Sequence, residues 1–196
     1  MITTAYQRAL EHYGQHPVPW ILFNALYLTI SAFIPVLGGL ALMPNLIRET
    51  TAAMEEERAP DIGALFDVSN LGDDLVTMSL YAGAQVVGLF MCLVGWPVAW
   101  VLFWMAPEIS ADRMVGPVDA MKLSAAFVLR NPLAIVAMIV TNLVILSFGS
   151  ALFGLGIFLA MPIVTLSWSA WLIERRPELR ALAEQKRMPQ LSAMTA

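Results

Sequence analysis

The chain of 196 residues is long enough for one domain, but hydrophobic residues make up 59% of it and charged residues only 13%, against roughly 25% charged in soluble domains. The net charge of −4 argues against nucleic acid as a partner. A single cysteine, Cys92, excludes a disulfide or a cysteine metal cluster within one chain.

Charged side chains are absent from three long stretches, 17–44, 75–107 and 132–173. A charge at the middle of a bilayer costs about 2.5–3.5 kcal/mol even on the mildest scale, and one spanning helix needs about 20 apolar residues. The three stretches therefore predict an all-α integral membrane protein with several spanning helices. The start of the chain is polar and mildly amphipathic, which is not the pattern of a cleavable signal peptide.

In chain order, we predict one membrane domain built from three helical hairpins. The segments are an interfacial helix at 1–16, hairpin 1 at 17–48, a cytoplasmic loop at 49–74, hairpin 2 at 75–107, a cytoplasmic amphipathic segment at 108–131, hairpin 3 at 132–173 and a basic cytoplasmic tail at 174–196. The short amphipathic segments that precede the hairpins suit the membrane interface.

Three similar phrases support the hairpin prediction, namely GLALMP at 39–44, WVLFWMAP at 100–107 and GIFLAMP at 156–162. Each follows a point where proline or glycine weakens a helix: Pro35 with Gly38 and Gly39, then Gly95 with Pro97, then Gly149, Gly154 and Gly156. The phrases are then the returning arms of a three-fold structural repeat. The six helices would span the membrane fully or, in the returning arms of hairpins 1 and 2, by half.

The alternative is four transmembrane helices, with 17–44 and 75–107 each forming one long kinked helix. The two topologies differ in the side on which 45–74 lies. The basic residues after the last stretch favour a cytoplasmic C-terminus, so six helices place both termini and 45–74 in the cytoplasm. They are Arg175, Arg176, Arg180, Lys186 and Arg187.

Three polar side chains lie deep in the apolar stretches, namely Asn24, Gln85 and Asn142. We expect them to hydrogen-bond between helices, each contributing about 0.6–2 kcal/mol. The alternative is that they line a substrate path. Convergence on one cavity would favour transport, and pairing between helices would favour a structural role.

Two patterns are weak candidates for a cofactor site. His12 and His16 are four residues apart, so both would face the same side of a helix, but no second ligand cluster accompanies them. Trp100 lies in a stripe with Trp96 and Trp104, which packing or lipid contact explains. No cofactor or metal is predicted, and contact with a pigment, a quinone or a lipid stays open.

The remaining residues predict no catalytic site. The chain has no G-x-S-x-G, no His-Glu-x-x-His and no P-loop. With both histidines near the N-terminus, a Ser-His or Cys-His catalytic pair is not expected. We therefore predict a protein that is not an enzyme.

Three loose motifs give a family resemblance. These are APDIGALFDVSNLG at 59–72, APEISAD at 106–112 followed by DAMKLSAAFVLRNP at 119–132, and the glycine-rich turn GLGIFLAMP. Together they resemble bacterial inner-membrane proteins of the YciC-like group and the membrane domains of some glycerophosphodiester phosphodiesterases. The resemblance implies a six-helix bundle in the bacterial inner (cytoplasmic) membrane and brings no activity or catalytic residue with it.

These observations predict an accessory, structural or assembly subunit of an inner-membrane complex. Its partners would be membrane lipids and other membrane subunits or a second copy of itself. The alternative function is a transporter, channel or lipid-handling protein for an uncharged or amphipathic substrate, since broken helices in repeated units often mark binding sites.

Overall fold

The computed structural model describes residues 2–34, 38–90, 95–112, 115–151 and 156–194, with side chains described through residue 185. These residues are almost entirely helical, and no β-strand occurs among them. The all-α fold class predicted from the sequence is therefore confirmed for this part of the chain. Pro35, Cys92 and Gly154, on which some of the predictions fall, lie outside the described residues.

The helices follow one another with short connections. They are α1 Ile2–Gln15, α2 Pro17–Phe33, a π-helical turn Gly38–Leu42 that continues into α3 Met43–Glu55, a 3₁₀ turn Ile62–Phe66, α4 Leu71–Phe90, α5 Gly95–Phe103, α6 Ala106–Ala111, α7 Pro117–Arg130, α8 Pro132–Ala151 and α9 Ile157–Met194.

Prolines set the start of several helices. Pro17, Pro117 and Pro132 are the first residues of α2, α7 and α8. Proline suits this position because the first turn does not use its missing N–H and its fixed φ is already helical. The chain can therefore bend between α1 and α2 and between α7 and α8 within one or two residues.

The prolines of the three repeated phrases have different structural roles. Pro44 lies in the first turn of α3, directly after the π-helical turn, and Pro107 lies in the first turn of α6. Pro162, in contrast, lies within the long helix α9. All three phrases lie in the returning arms of the hairpins. Only the second phrase contains the end of an α-helix, because α5 ends at Phe103.

Consecutive helices pair as hairpins, and α9 is the common packing partner. Helix α2 packs against the π-helical turn before α3, α4 against α5, and α8 against α9. Helix α9 also packs against α1, α2, α3 and α7. The largest fully buried side chains, including Trp20, Phe23, Phe127 and Trp171, belong to one hydrophobic core.

Each hairpin has a close backbone crossing between residues seven positions apart. A Cβ on Gly88 would lie 2.9 Å from the carbonyl oxygen of Gly95, and a Cβ on Gly149 would lie 2.8 Å from that of Gly156. Gly149 thus lies inside α8 and permits close packing, whereas the sequence predicted a helix break there. The three closely approaching pairs are Ser31 and Gly38, Gly88 and Gly95, and Gly149 and Gly156.

The shared spacing of these crossings supports a three-fold structural repeat. Aligned on the crossings, Asn24 in α2 and Asn142 in α8 occupy equivalent positions, each seven residues before the first member of its pair. Tyr81 is the matching residue of α4. Gln85 therefore does not occupy the position that is equivalent to Asn24 and Asn142.

Within the part of the chain that the structure describes, two helices are long and apolar enough to cross a membrane. They are α8 and the Ile157–Gln185 part of α9, with mean hydropathies of 2.2 and 1.6. Helix α2 is apolar but shorter. Only 28% of the α8 window is buried inside the protein, against 56% for α9. Most of α8 therefore presents apolar side chains to the surroundings.

The segments predicted as cytoplasmic or interfacial contribute to the packed interior. Helix α3 continues past the apolar arm to Glu55 and buries Glu49, Thr50 and Thr51. Helix α6 is almost wholly buried, and α7 packs on α4, α5 and α6. The amphipathic helix α1 buries Ala5, Ala9 and His12 on the face that it turns to α9.

Candidate functional site

Asn24 connects two helices. Its side-chain Nδ2 donates to the backbone carbonyl of Trp20 at 3.0 Å. Its Oδ1 accepts from the hydroxyl of Thr165 on α9 at 3.4 Å. Asn24 is fully buried, so it links α2 to α9 and leaves little capacity for a ligand.

Asn142 connects three helices. Its Oδ1 accepts a 2.7 Å hydrogen bond from the hydroxyl of Tyr6 on α1 and a 3.2 Å bond from the hydroxyl of Ser167 on α9. Its Nδ2 has no hydrogen-bond partner within the described residues. The N-terminal helix is thereby attached to the middle of α8.

Gln85 lies apart from both asparagines, on α4. Its two amide atoms are buried and have no hydrogen-bond partner in the part of the chain that the structure describes. None of the three side chains lines the cavities described below. Asn24 and Asn142 pair between helices, which favours a structural role for these two residues.

His12 and His16 lie next to each other at the bend between α1 and α2. Their ring centroids are 6.0 Å apart, and His12 also contacts Trp20 edge-to-face at 5.6 Å. No group of three or more histidine, cysteine, aspartate or glutamate side chains able to hold a metal occurs within the described ranges. The arrangement is an aromatic contact that fixes the bend.

Burial lowers the pKa of His12 from its usual value of 6.5, and the neighbouring His16 lowers it further. The unfolded chain therefore binds a proton more readily than the folded protein does. Stability is retained above pH 6.5 and is lost as the pH falls toward the lowered pKa of the folded state.

We expect His12→Phe to reduce the loss of thermal stability between pH 8 and pH 5.5, measured in detergent micelles. Phenylalanine keeps the ring contact with Trp20 and removes the imidazole group that binds the proton. The matched control is His16→Phe, which should keep most of the pH dependence, because burial of His12 is the larger cause. Equal pH dependence in wild type and His12→Phe would contradict the prediction.

Trp100 belongs to a run of tryptophans and does not stand alone. It contacts Trp104 edge-to-face at 4.4 Å, Trp104 lies 5.5 Å from Trp168, and Trp168 lies 5.9 Å from Trp171. Trp104 and Trp168 line a cavity, whereas Trp100 does not. Trp100 therefore packs behind the cavity wall.

This apolar cavity has a volume of about 170 Å³. Its walls come from α2, α3, α6, α8 and α9 and from the turn after α5. They are almost entirely apolar, with a few hydroxyl groups and one carboxyl group. The lining residues are Tyr27, Met43, Leu46, Ile47, Thr50, Trp104, Glu108, Leu146, Met161, Val164, Thr165, Trp168 and Ser169.

A second, polar cavity of about 230 Å³ adjoins the first. It lies between α3 and α6, and the two cavities share Ile47 and Glu108 as lining residues. Its charged residues are Arg48, Glu55 and Asp112, and its other lining residues are Thr51, Ala52 and Ala111.

Glu108 lies at the boundary between the apolar and the polar cavity. It is only 6% exposed, and its Oε2 has no hydrogen-bond partner among the described residues. Burial raises the pKa of Glu108 to about 8. A buried carboxyl group that has no cation beside it is costly to ionise, and such groups cluster at functional sites.

The other acids near Glu108 have basic partners. Arg48 binds Asp74 through two hydrogen bonds of 2.6 and 2.8 Å. Arg176 on α9 binds both Glu55 and Asp112. Burial raises the pKa of Asp112, and Arg176 opposes that shift.

Arg48 also connects the loop before α4 to α3. Its guanidinium donates to the Oδ1 of Asn45, whose Nδ2 donates to the carbonyls of Leu65 and Asp67 at 2.8 Å each. A further cavity of about 240 Å³ lies beside Arg48 and Asp74, between α4 and the start of α7. Arg48 thus fixes the wall between this cavity and the polar cavity beside Glu108.

Sequence reasoning missed Glu108. It stands directly after the charge-free stretch 75–107 and was placed in a cytoplasmic segment. The signal in the sequence was the position of Glu108 four residues after Trp104, with Pro107 between them. A proline favours the first turn of a helix, and a helical turn at this point keeps Trp104 and Glu108 close.

No protein-family model matches this sequence, and comparisons with curated proteins and with solved structures find no similar protein. The resemblance to the YciC-like group and to the glycerophosphodiester phosphodiesterase membrane domains therefore stays a prediction.

Proposed function

We propose that the chain is a multi-pass protein of the bacterial inner membrane that binds an amphipathic molecule and is not an enzyme. The observation that carries the proposal is the pair of adjoining cavities, one apolar and one charged, with Glu108 between them. An amphipathic molecule matches this division, because its apolar part fits one cavity and its polar part the other.

Large exposed apolar side chains support the membrane location. Phe33, Phe90, Leu133 and Phe148 are 83%, 84%, 84% and 74% exposed. They belong to α2, α4 and α8, and α8 adds Val136, Val140, Leu143 and Val144 along its exposed length. Apolar surface of this extent is costly in water, and lipid contact removes the cost.

The proposed topology has six full or partial spans with both termini and residues 49–74 in the cytoplasm. The exposed apolar residues lie mainly on the hairpin helices. The charged contacts of Arg48, Arg58 and Arg176 lie at the opposite ends from the hairpin turns. In this topology the polar cavity opens at the cytoplasmic end of the bundle.

We expect a cysteine at position 59 to react with a membrane-impermeant maleimide only from the cytoplasmic side. The variant is Ala59→Cys with Cys92→Ser. The control Ser150→Cys, next to the turn of hairpin 3, should react only from the periplasmic side of intact spheroplasts. Labelling of position 59 from the periplasmic side would contradict the six-span topology and favour the topology with four spans.

A second candidate function is an accessory or assembly subunit, with a second membrane protein or another copy of this chain as partner. The pairing of Asn24 and Asn142 between helices favours it. In this case the exposed apolar face of α8 would pack on a neighbouring helix and not only on lipid.

Native mass spectrometry of the protein released from its own membranes in a mild non-ionic detergent distinguishes the two functions. The proposed function predicts a monomer or homo-oligomer that carries one small amphipathic molecule per chain. A stoichiometric complex with another membrane protein and no small molecule would favour the accessory subunit.

A further inference from the structure

We propose that the two adjoining cavities bind an organic cation, with its ammonium group against Glu108 and its apolar group against the cavity wall that Trp104 and Trp168 form. The inference rests on the proposed function, because it specifies the chemistry of the same site. It assigns Glu108 as the residue that selects the charge of the ligand.

The carboxyl group of Glu108 provides the first reason. It is more than nine-tenths buried, lines both cavities, and has an oxygen with no hydrogen-bond partner among the described residues. A buried polar atom is normally hydrogen-bonded. An ammonium donor in the cavity would supply the missing partner and would stabilise the ionised carboxylate.

The charges around the polar cavity give the second reason. Two guanidinium groups, those of Arg48 and Arg176, already bind three carboxylates, those of Asp74, Glu55 and Asp112. Glu108 adds a fourth carboxyl group, and none of the ion pairs in the described part of the chain includes it. Arg180 adds a third guanidinium group, whose charge acts on Asp112, so four carboxyl groups face three cations when Glu108 is ionised. This balance is negative by one charge, which disfavours an anionic ligand and favours a cationic one.

The aromatic wall gives the third reason. The rings of Trp104 and Trp168 lie 5.5 Å apart at an angle of 40°, and Tyr27 lines the same cavity. Aromatic faces attract organic ammonium groups, and tryptophan does so most strongly. The site thus offers a carboxylate and aromatic rings to one cation.

The size of the apolar cavity limits the ligand. A volume of about 170 Å³ is close to the roughly 150 Å³ of an apolar protein cavity that binds benzene. The apolar part that fits is therefore one ring or a short alkyl segment. A longer chain would extend out of the cavity.

Three probes with one ring and one short linker test the charge preference: 2-phenylethylammonium, 2-phenylethanol and 3-phenylpropionate. Binding is measured by tryptophan fluorescence of the full chain in maltoside micelles at pH 8, with empty micelles as background. We expect the ammonium probe to bind at least about tenfold more tightly than the alcohol, and the propionate to bind most weakly.

Glu108→Gln should weaken the affinity for the ammonium probe by at least about tenfold and leave the affinity for the alcohol unchanged. The unchanged affinity for the alcohol also shows that the variant is folded. Glu108→Asp should keep the preference for ammonium. The matched control is Glu56→Gln, because the carboxylate of Glu56 is 62% exposed and lies away from the cavities. This variant should leave the affinity for all three probes unchanged.

Two variants on α8 test the place of binding. Leu146→Trp fills the apolar cavity and should abolish binding of the ammonium probe and the alcohol, whereas Leu143→Trp, at a 51% exposed position of the same helix, should not.

The outcomes separate the two proposals. Equal affinity for ammonium and alcohol, or an unchanged ammonium affinity in Glu108→Gln, overturns the cation assignment and leaves the binding function standing. Absence of saturable binding for every probe overturns the binding function itself.

Discussion

Replacing Arg48 with methionine should lower the free energy of unfolding by about 3–5 kcal/mol. Methionine has a similar length but removes the guanidinium that binds Asp74 and Asn45. The carboxylate of Asp74 is only 5% exposed, so it would remain buried without a cation. The loss would also release Asn45, which holds the loop at Leu65 and Asp67.

A titration of the purified protein from mild to denaturing detergent would measure this free energy. The matched control is Lys122→Met, which removes an ion pair with Asp119 whose two side chains are 58% and 57% exposed. Exposed pairs contribute about 0–1 kcal/mol. Arg48→Met together with Asp74→Leu should recover much of the stability, because the unpaired buried charge is then gone. Equal effects of Arg48→Met and Lys122→Met would contradict the prediction.

Replacing Gly88 with alanine should destabilise the protein by about 1–3 kcal/mol, although alanine is the better helix former. The new Cβ would lie 2.9 Å from the carbonyl oxygen of Gly95 and 3.1 Å from the Cα of Trp96. Both neighbours are backbone atoms, so relief requires α5 to move away from α4. Trp104 follows α5 directly, so the apolar cavity would also change shape.

Gly83 is the control for Gly88, because it lies on the same helix and has no atom within 4 Å of its ideal Cβ. Gly83→Ala should therefore raise the free energy of unfolding by up to about 1 kcal/mol. Gly149→Ala should behave like Gly88→Ala, since its Cβ would lie 2.8 Å from the carbonyl oxygen of Gly156. A stabilising effect of Gly88→Ala in the same titration would show that the close crossing is not present.

Much of the fold could be predicted because charge and proline mark its boundaries. Pro17 and Pro132 begin helices where the charge-free stretches begin, and Gly38, Gly95 and Gly156 mark the returning arms. The repeated phrases were less informative, because the effect of a proline depends on whether a helix begins or continues there. Pro162, for example, lies within α9 and does not end it.

The polar contacts between helices could be predicted from the sequence, whereas the charged residues of the cavity site could not. Asn24 and Asn142 could be found because a polar side chain in an apolar stretch requires a partner, and the structure supplies Thr165 and Ser167. Glu108 and Arg48 could not be found in this way, because charged residues just outside an apolar stretch are usually solvated. Their burial depends on α6 and α3 packing against each other, which is a tertiary contact that no local pattern records.

The contact between α1 and α9 has a consequence for biosynthesis. Helix α1 packs extensively along α9, and the hydrogen bond from Tyr6 to Asn142 on the preceding helix α8 joins residues 136 positions apart. During translation α1 is made long before α9, so its buried face has no partner until the chain has been made as far as α9. Contacts of such long sequence separation form late. Completion of the bundle is therefore set by the arrival of the last hairpin, and in that interval the N-terminal helix is open to chaperones and proteases.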